Sequence, residues 1–391
     1  MNSKIRFIPY GKQTITEEDI NAVTEVLRGP LITQGPTIGT FEKLISEKVT
    51  AKHAIAVNSA TSALHIACLA LGLGKNDILW TSPITFVASA NCGLYCGATV
   101  DFVDIELETG LICTKELRKK LLKAKKNSKL PKVLIPVHLC GTSANMREIG
   151  ELAQEFGFKI IEDASHAIGG KFNGERVGNN RYSDATVFSF HPVKIITTAE
   201  GGLVTTNNTK LAKKMTELRS HGITKNPENF EGIDCGPWHY EQQGLGFNYR
   251  MTDIQAGLGI SQLNRLDSIV EERNRLFKIY MSKLDNNHLD LLKIPTDVYS
   301  SLHLAVVVLK RDDREYHRKI FEGLRDAGIG VQLHYEPVHL QPYYKKMGFK
   351  HGNFPKAEAY ARKAISLPLY PGLKQEEQEY VIDTLHGLLR T

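Results

Sequence analysis

"FSFHPVKIITTAEGG" (Phe188–Gly202) sets one lysine, Lys194, at the junction of two strand-like runs. ATVFSF leads into it and GLVTTN leads away. Their apolar residues are continuous rather than alternating, as in strands buried on both faces. Ligands of open α/β sheets lie beyond the carboxyl ends of the strands. A lysine desolvated at such a place gives up its proton more easily, and the neutral amine attacks carbonyl carbon. The same position also suits a lysine reaching out of the sheet end into solvent.

Outward from this lysine, helices and strands alternate from about residue 15 to 250. HAIAVNS, DILWTSP, TVDFVDI, KVLIPVHL and FKIIEDAS read as short apolar strands. ATSALHIACLALGLG, TFVASANCGLYCGA and MREIGELAQEFG read as helices between them. TEEDINAVTEVLRG is a further helix, with Thr16 as its N-cap and Gly29 closing its end. The pattern predicts an α/β fold, a mostly parallel, doubly wound sheet covered by helices. From MTDIQAGLGISQLNRLDSIVEERNRLFKIYMSKL onward it changes to long helix. The strand HLAVVVL, the helix DREYHRKIFEGLRDAG, the strand VQLHYE and a closing helix after SLPLYPGL predict a smaller α+β unit. The expected division is a large domain over residues 1–255 and a small one over 256–391, with the N-terminal arm packed on the small lobe.

Bulk composition narrows the classes. With 391 residues, 42% hydrophobic and 24% charged, the chain is ordinary globular protein, long enough for a large core and a second lobe. Much of its +6 net charge sits in LRKKLLKAKKNSKLPK (Leu117–Lys132), where no aromatic residue interleaves. That tract reads as a solvated helix face and gives no support to stacking on nucleic acid. The 6 cysteines form no CxxC pair. Cys92 and Cys96 read as buried small hydrophobes, so no metal centre is expected. Free cysteines of this kind suit a reducing cytoplasm. MNSKIRFIPYGKQ lacks an apolar secretory core, and no stretch is apolar enough to span a bilayer.

Other residues could work with the lysine. Asp163 ends the strand FKIIEDAS, where a carboxylate leaving a buried strand must be paired or hydrogen-bonded. A protonated pyridine nitrogen is one partner, and a structural ion pair or helix cap is the other reading. NSATSALH runs from a strand into a helix start, so the amides of Ala60 and Thr61 suit a phosphate, as does the Thr61 hydroxyl. Ser189 adds a second hydroxyl, while a plain N-cap remains the simpler reading. Phe86, starting a helix in TSPITFVASAN, is placed either to stack on a flat ring or to fill the core. Together these residues point to a Schiff-base lysine, a pyridinium partner, a phosphate cradle and a stacking ring.

ITQGPTIGTFE, NSATSALH, TSPITFVASAN, PVHLCG, EDASHAIGG, FSFHPVKIITTAEGG and GFNYRMTDIQAGLG occur in this order along nearly the whole chain. In them the sequence resembles the vitamin B6-dependent nucleotide-sugar aminotransferases of the DegT/DnrJ/EryC/StrS group. The resemblance implies the aspartate-aminotransferase-like fold (fold type I) and pyridoxal 5′-phosphate as cofactor. It assigns Lys194 to the cofactor aldehyde and to proton transfer, Asp163 to the pyridine nitrogen, and Ala60, Thr61 and Ser189 to the phosphate. His166 matches a position near the cofactor's phenolic oxygen. Asn248 matches a residue that reaches the phosphate of the neighbouring subunit, which implies a homodimer with shared active sites. Dehydratase members of the group carry histidine where Lys194 stands, so the lysine argues for transamination and against a non-catalytic binding protein.

RSHGITK, PWHYEQQGLGFNYRMTD and HYEPVHLQPYY resemble members that aminate C4 of a UDP-linked 6-deoxy-4-ketohexose toward pseudaminic acid, with L-glutamate as donor. Another keto sugar, of the perosamine or bacillosamine type, is the alternative. Arg219, His221, Lys225 and Arg250 are candidates for the UDP pyrophosphate, which needs cations or helix starts. Each reads equally well as a solvated surface charge. Tyr95 and His191 are further candidates, and the motif His334-Tyr335 with Val338-His339 is a candidate to shape the sugar pocket from the small lobe.

Overall fold

The computed structural model describes residues 7–390; the N-terminal leader reading falls partly on residues 1–6, outside the described residues. Strands β1 (His53–Val57), β2 (Ile78–Thr81), β3 (Thr99–Phe102), β4 (Val133–Ile135) and β5 (Lys159–Asp163) come first. A short ribbon, β6 (Lys171–Phe172) and β7 (Glu175–Arg176), precedes β8 (Ala185–Ser189) and β9 (Gly202–Thr206). The main sheet is seven-stranded, in the order β1-β9-β8-β5-β4-β2-β3. Only β9 runs against its neighbours; the other pairings are parallel. The strand carrying Lys194's approach and the strand carrying Asp163 are therefore adjacent and parallel, so their carboxyl ends open at the same edge.

Helices α1 (Glu17–Arg28), α2 (Pro36–Val49), α3 (Ala60–Ala70), α4 (Ala88–Tyr95), α5 (Thr114–Lys126), α6 (Met146–Phe156) and α7 (Thr209–Leu218) cover the sheet. Successive residues of a strand face opposite layers. Val187 of β8 packs with Ala63, Leu64 and Met215 from α3 and α7, while Phe188 packs with Phe41 and Ile45 from α2. This double burial is what the continuous apolar runs require. The basic tract forms α5 and its exit, with Leu117 and Leu121 buried against Ile149 and Leu152 of α6. Cys92 is buried beside Cys68, with the sulfurs 3.7 Å apart.

After a small ladder of β10 (Ile223–Thr224) and β11 (Glu241–Gln242) come α8 (Asp253–Asn264) and α9 (Leu266–Lys283). The expected single long helix is two, because Arg265 leaves helical geometry at φ −104 and ψ 4. Helix α8 packs across α1 and α2. Helix α9 starts in the large core with Leu266, Ile269 and Val270 and ends in the small one with Leu276, Phe277 and Tyr280. The large-lobe core thus extends past residue 255 into α9.

The small lobe holds the sheet β12-β14-β15, built from β12 (Leu289–Leu291), β14 (Ala305–Leu309) and β15 (Ala364–Leu367); β13 (Val298–Tyr299) pairs instead with β6. Helices α10 (Arg314–Asp326), α11 (Pro342–Lys345), α12 (Pro355–Ala361) and α13 (Gln375–Leu389) complete it. VQLHYE, expected as a strand, makes only a single bridge, Gln332 to Ser366, before the chain turns toward the large lobe. Ile8 in the N-terminal arm bridges Ile329 and joins the small-lobe core. No helix of the described residues is long and apolar enough to cross a membrane.

Candidate active site

The two carboxyl ends, the start of α3 and the returning small-lobe chain enclose a cavity of about 420 Å³. Ala60, Thr61, Phe86, Asp163, His166, Ser189, His191, Lys194 and His334 all contribute to its lining. Residues far apart in sequence therefore meet at the edge where β5 and β8 end.

Lys194 follows β8 in a turn closed by its own amide, which donates to His191 O at 2.9 Å. The residue is partly accessible, but its ammonium sits where burial pushes its pKa down to about 8, against the opposing pull of Asp163. Its Nζ has no hydrogen-bond partner among the described residues. Asp163 is 5% exposed and held from two sides: Ser89 Oγ donates to Oδ2 at 2.6 Å and the Ser165 amide donates to Oδ1 at 3.1 Å.

Ser59 caps α3 by accepting the Ser62 amide at 3.1 Å, and its carbonyl accepts the Ala63 amide at 3.0 Å. The first two amides of the helix, those of Ala60 and Thr61, belong to residues lining the cavity. Strand β9 starts hard against this turn: a Cβ on Gly202 would meet Ala60 N at 2.4 Å. The second glycine of the GG pair is therefore demanded by the approach of backbone to cradle. Phe86 precedes α4 by two residues instead of opening it, because Val87 is the N-cap; its ring is 59% exposed on the cavity wall.

Burial keeps His334, His166 and His303 neutral. His334 is pushed down to about 3 by burial and by the nearby Lys194 charge, and its Nδ1 lies 2.8 Å from Ser366 Oγ. His166 and His303 are pushed well below the usual imidazole range for the same first reason, with ring centroids 4.4 Å apart.

Several substrate candidates lie elsewhere. Arg219 is tied to Glu42 and to Ala56 O at 2.7 Å, beneath β1, so its charge is already neutralised. His339 is fully buried, pairs with Glu358 Oε1 at 3.0 Å and does not line the cavity. Tyr95 is 55% exposed and packs edge-on to His65. His221, Lys225 and Arg250 share a separate depression of about 440 Å³ with Trp238 and Tyr240. Asn248 is exposed and does not line the cavity of its own chain.

Tyr335, from the motif expected to shape the sugar pocket, also lines the cavity, whereas the sequence reading passed over Ser89, Ser165 and His303. Ser89 lies inside the quoted TSPITFVASAN, but nothing in its spacing reveals the carboxylate it meets across the sheet end.

Residues 13–386 match the model of the DegT/DnrJ/EryC1/StrS aminotransferase family. The chain belongs to that family. This aminotransferase is 38% identical to the UDP-4-amino-4,6-dideoxy-N-acetyl-beta-L-altrosamine transaminase of Campylobacter jejuni (strain 81-176), over 98% of this chain and 97% of that one. Among solved structures it is similar to Helicobacter pylori PseC, an aminotransferase involved in the biosynthesis of pseudoaminic acid, at TM-score 0.90 and 30% identity, covering 98% of this chain and 100% of that one. A putative sugar aminotransferase from Streptococcus pneumoniae in its PLP-form matches at TM-score 0.88 and 30% identity, covering 98% and 99%.

The fold is that of the fold type I aminotransferases, the protein is a nucleotide-sugar aminotransferase, and its cofactor is pyridoxal 5′-phosphate. The residues present fit that group. The cavity offers an unpartnered amine, a buried carboxylate within its electrostatic reach, and a helix start against which β9 leaves no room for a side chain.

Proposed function

We propose that this chain transfers the amino group of L-glutamate to C4 of a UDP-linked N-acetylated 6-deoxy-4-ketohexose. The product is UDP-4-amino-4,6-dideoxy-N-acetyl-β-L-altrosamine, a step toward pseudaminic acid. The single observation that carries transamination is the Lys194 amine, desolvated beside Asp163 in an enclosed cavity. The sugar is supported by the 38% identity to the Campylobacter transaminase across nearly the full length of both chains.

Bound pyridoxal phosphate supplies an aldehyde carbon that exchanges amines and a protonated ring that accepts the electron pair left by a departing α-proton. Lys194 would hold the aldehyde of the bound group, and its free amine would move the proton. With a pKa of about 8 it is a base matched to near-neutral solution. Asp163 would keep the ring nitrogen of the bound group protonated, and the Ser89 and Ser165 bonds fix its carboxylate in one orientation. Ala60, Thr61 and Ser189 would hold the phosphate, and Phe86 would cover a ring face. Asn248, exposed on its own chain, would complete the phosphate site of a second copy, so the working unit is a homodimer. Glutamate and keto-sugar use the same cavity in turn, which predicts ping-pong kinetics.

The test is a product assay. Purified protein loaded with cofactor is given L-glutamate and a panel of UDP- and dTDP-linked 4-keto sugars, and products are assigned by NMR. Amination of the UDP-linked N-acetylated 6-deoxy-4-ketohexose at C4 in the altro configuration is expected. Preference for a dTDP sugar, or amination at C3, would overturn the substrate assignment.

A further inference from the structure

The directions of the hydrogen bonds around His166 single out one donor in the cavity. A backbone N–H can only donate, so the Cys140 amide, 3.3 Å from His166 Nδ1, requires that nitrogen to be unprotonated. The ring is 4% exposed and, beside the Lys194 charge, neutral. Its one proton therefore sits on Nε2. Nε2 lies 3.1 Å from Tyr335 Oη and must donate to it. Both nitrogens of His166 are then committed within the chain, which leaves neither for a ligand.

The phenol's own hydrogen is directed elsewhere. No second partner for Tyr335 Oη occurs among the described residues. Burial raises its pKa above the usual tyrosine range, so the hydrogen stays on the oxygen. Tyr335 lines the cavity with Lys194 and Asp163, and its ring centroid lies 6.3 Å from that of Phe86. Cys140, Asp163 and Tyr10 push the phenol's pKa further in the same upward direction, and the neighbouring His303 and His334 are held neutral.

We propose that Tyr335, oriented by His166, donates its phenolic hydrogen to an oxygen acceptor of the ligand in the cavity. His166 is a positioning residue that acts through Tyr335. The acceptor is an oxygen on the cofactor ring or on a substrate, and this inference rests on the aminotransferase reading above.

The experiment uses the cofactor-loaded enzyme and Tyr335→Phe, which deletes one oxygen and leaves the ring to pack. The near-visible band of the resting enzyme is titrated against pH without substrates. With the acceptor on the cofactor, the lost bond had favoured the more negative form, so the midpoint rises by about one pH unit. With the acceptor on a substrate, the midpoint stays and KM for glutamate or for the keto-sugar rises about tenfold. An unchanged midpoint together with both KM values unchanged overturns the proposal. His166→Gln moves the same quantity in the same direction, and the double variant moves it no further than Tyr335→Phe alone. Additive shifts would remove His166's orienting role. A wild-type enzyme with no such band would instead sink the aminotransferase reading, so the two failures are distinguishable.

Discussion

Two lysines of this chain lie at partly buried ends of the main sheet, and they are used in opposite ways. Lys120, on α5, is 25% exposed at its side chain and surrounded by partners. It pairs with Asp101 Oδ2 at 2.6 Å, donates to Phe102 O, and lies 4.7 Å over the Trp80 ring. Lys194 has the Coulombic pull of Asp163 and, among the described residues, no hydrogen bond to its Nζ. Both have lowered pKa values for the same first cause, burial. The difference is that Lys120 closes the outer edge of β3, while the Lys194 amine is left with its reactivity unspent. A buried amine without partners is costly to a fold unless the site exists for another molecule.

Lys194→Ala is the sharpest way to break this comparison. Turnover is expected to fall by at least about 10³-fold, and the near-visible band is lost. The pH behaviour adds a signed check. Binding of cofactor by the cofactor-free wild type should quicken as pH rises and level off above about 8, where the amine is neutral. Below pH 8 the folded state carries a buried charge that the unfolded state solvates. Lys194→Met should therefore stabilise the cofactor-free protein there, by roughly 3 kcal/mol at most. That advantage shrinks as pH rises from about 8 toward the ordinary lysine value of 10.5. A stability difference that grows with pH would contradict the assigned direction.

Adjacent positions on β5 repeat the lesson with carboxylates. Glu162 and Asp163 are each 5% exposed and point to opposite layers. Glu162 is filled by its own chain: His138 Nε2 donates at 2.7 Å, and Ser183 and Thr186 add hydroxyls. Asp163 has two donors and faces the cavity. Asp163→Asn should keep the thermal midpoint near wild type and lower kcat by about 10²–10³-fold, since it removes a charge needed during reaction. Glu162→Gln should do the reverse, lowering the midpoint while leaving kcat of the folded fraction within a few-fold. Kinetics and thermal melts of the two variants side by side decide it, and equal losses of kcat would dissolve the contrast.

The chemistry was more legible in the sequence than the walls around it. Lys194 and Asp163 could be found because each closes a run of apolar residues, and the helix start at Ala60 because small polar residues separate strand from helix. The double burial of β8 was visible as continuity of apolar residues. The motif around Tyr335 was visible as a candidate wall of the sugar pocket, but its course was not, since VQLHYE imitates strand alternation while the chain makes one bridge and then diverts into the cavity. The last two residues of β15, Ser366 and Leu367, lie in SLPLYPGL, a stretch read only as the approach to a helix, and Pro368 ends the strand before any period shows. Arg219 and His339 looked like substrate contacts because charge and motif are visible in sequence, while Glu42 and Glu358, which absorb them, are distant along it. Pairing across the fold is set by packing, and one-dimensional spacing carries little of it.

The smallest expected effect falls on the other lysine. Lys120→Met keeps the aliphatic stem against Trp80 and Phe354 and removes the ammonium. Its ion pair with Asp101 is partly screened, the two side chains being 25% and 38% open to solvent. The loss should come to about 1 kcal/mol of stability, with kcat and both KM values unchanged. The Phe102 carbonyl it released lies on the outer strand of the sheet, so the variant should also show a greater tendency to self-associate, measured by light scattering against concentration. A fall in kcat without a fall in stability would mean that this lysine, too, has a part in the reaction, and the division of labour between the two amines would not hold.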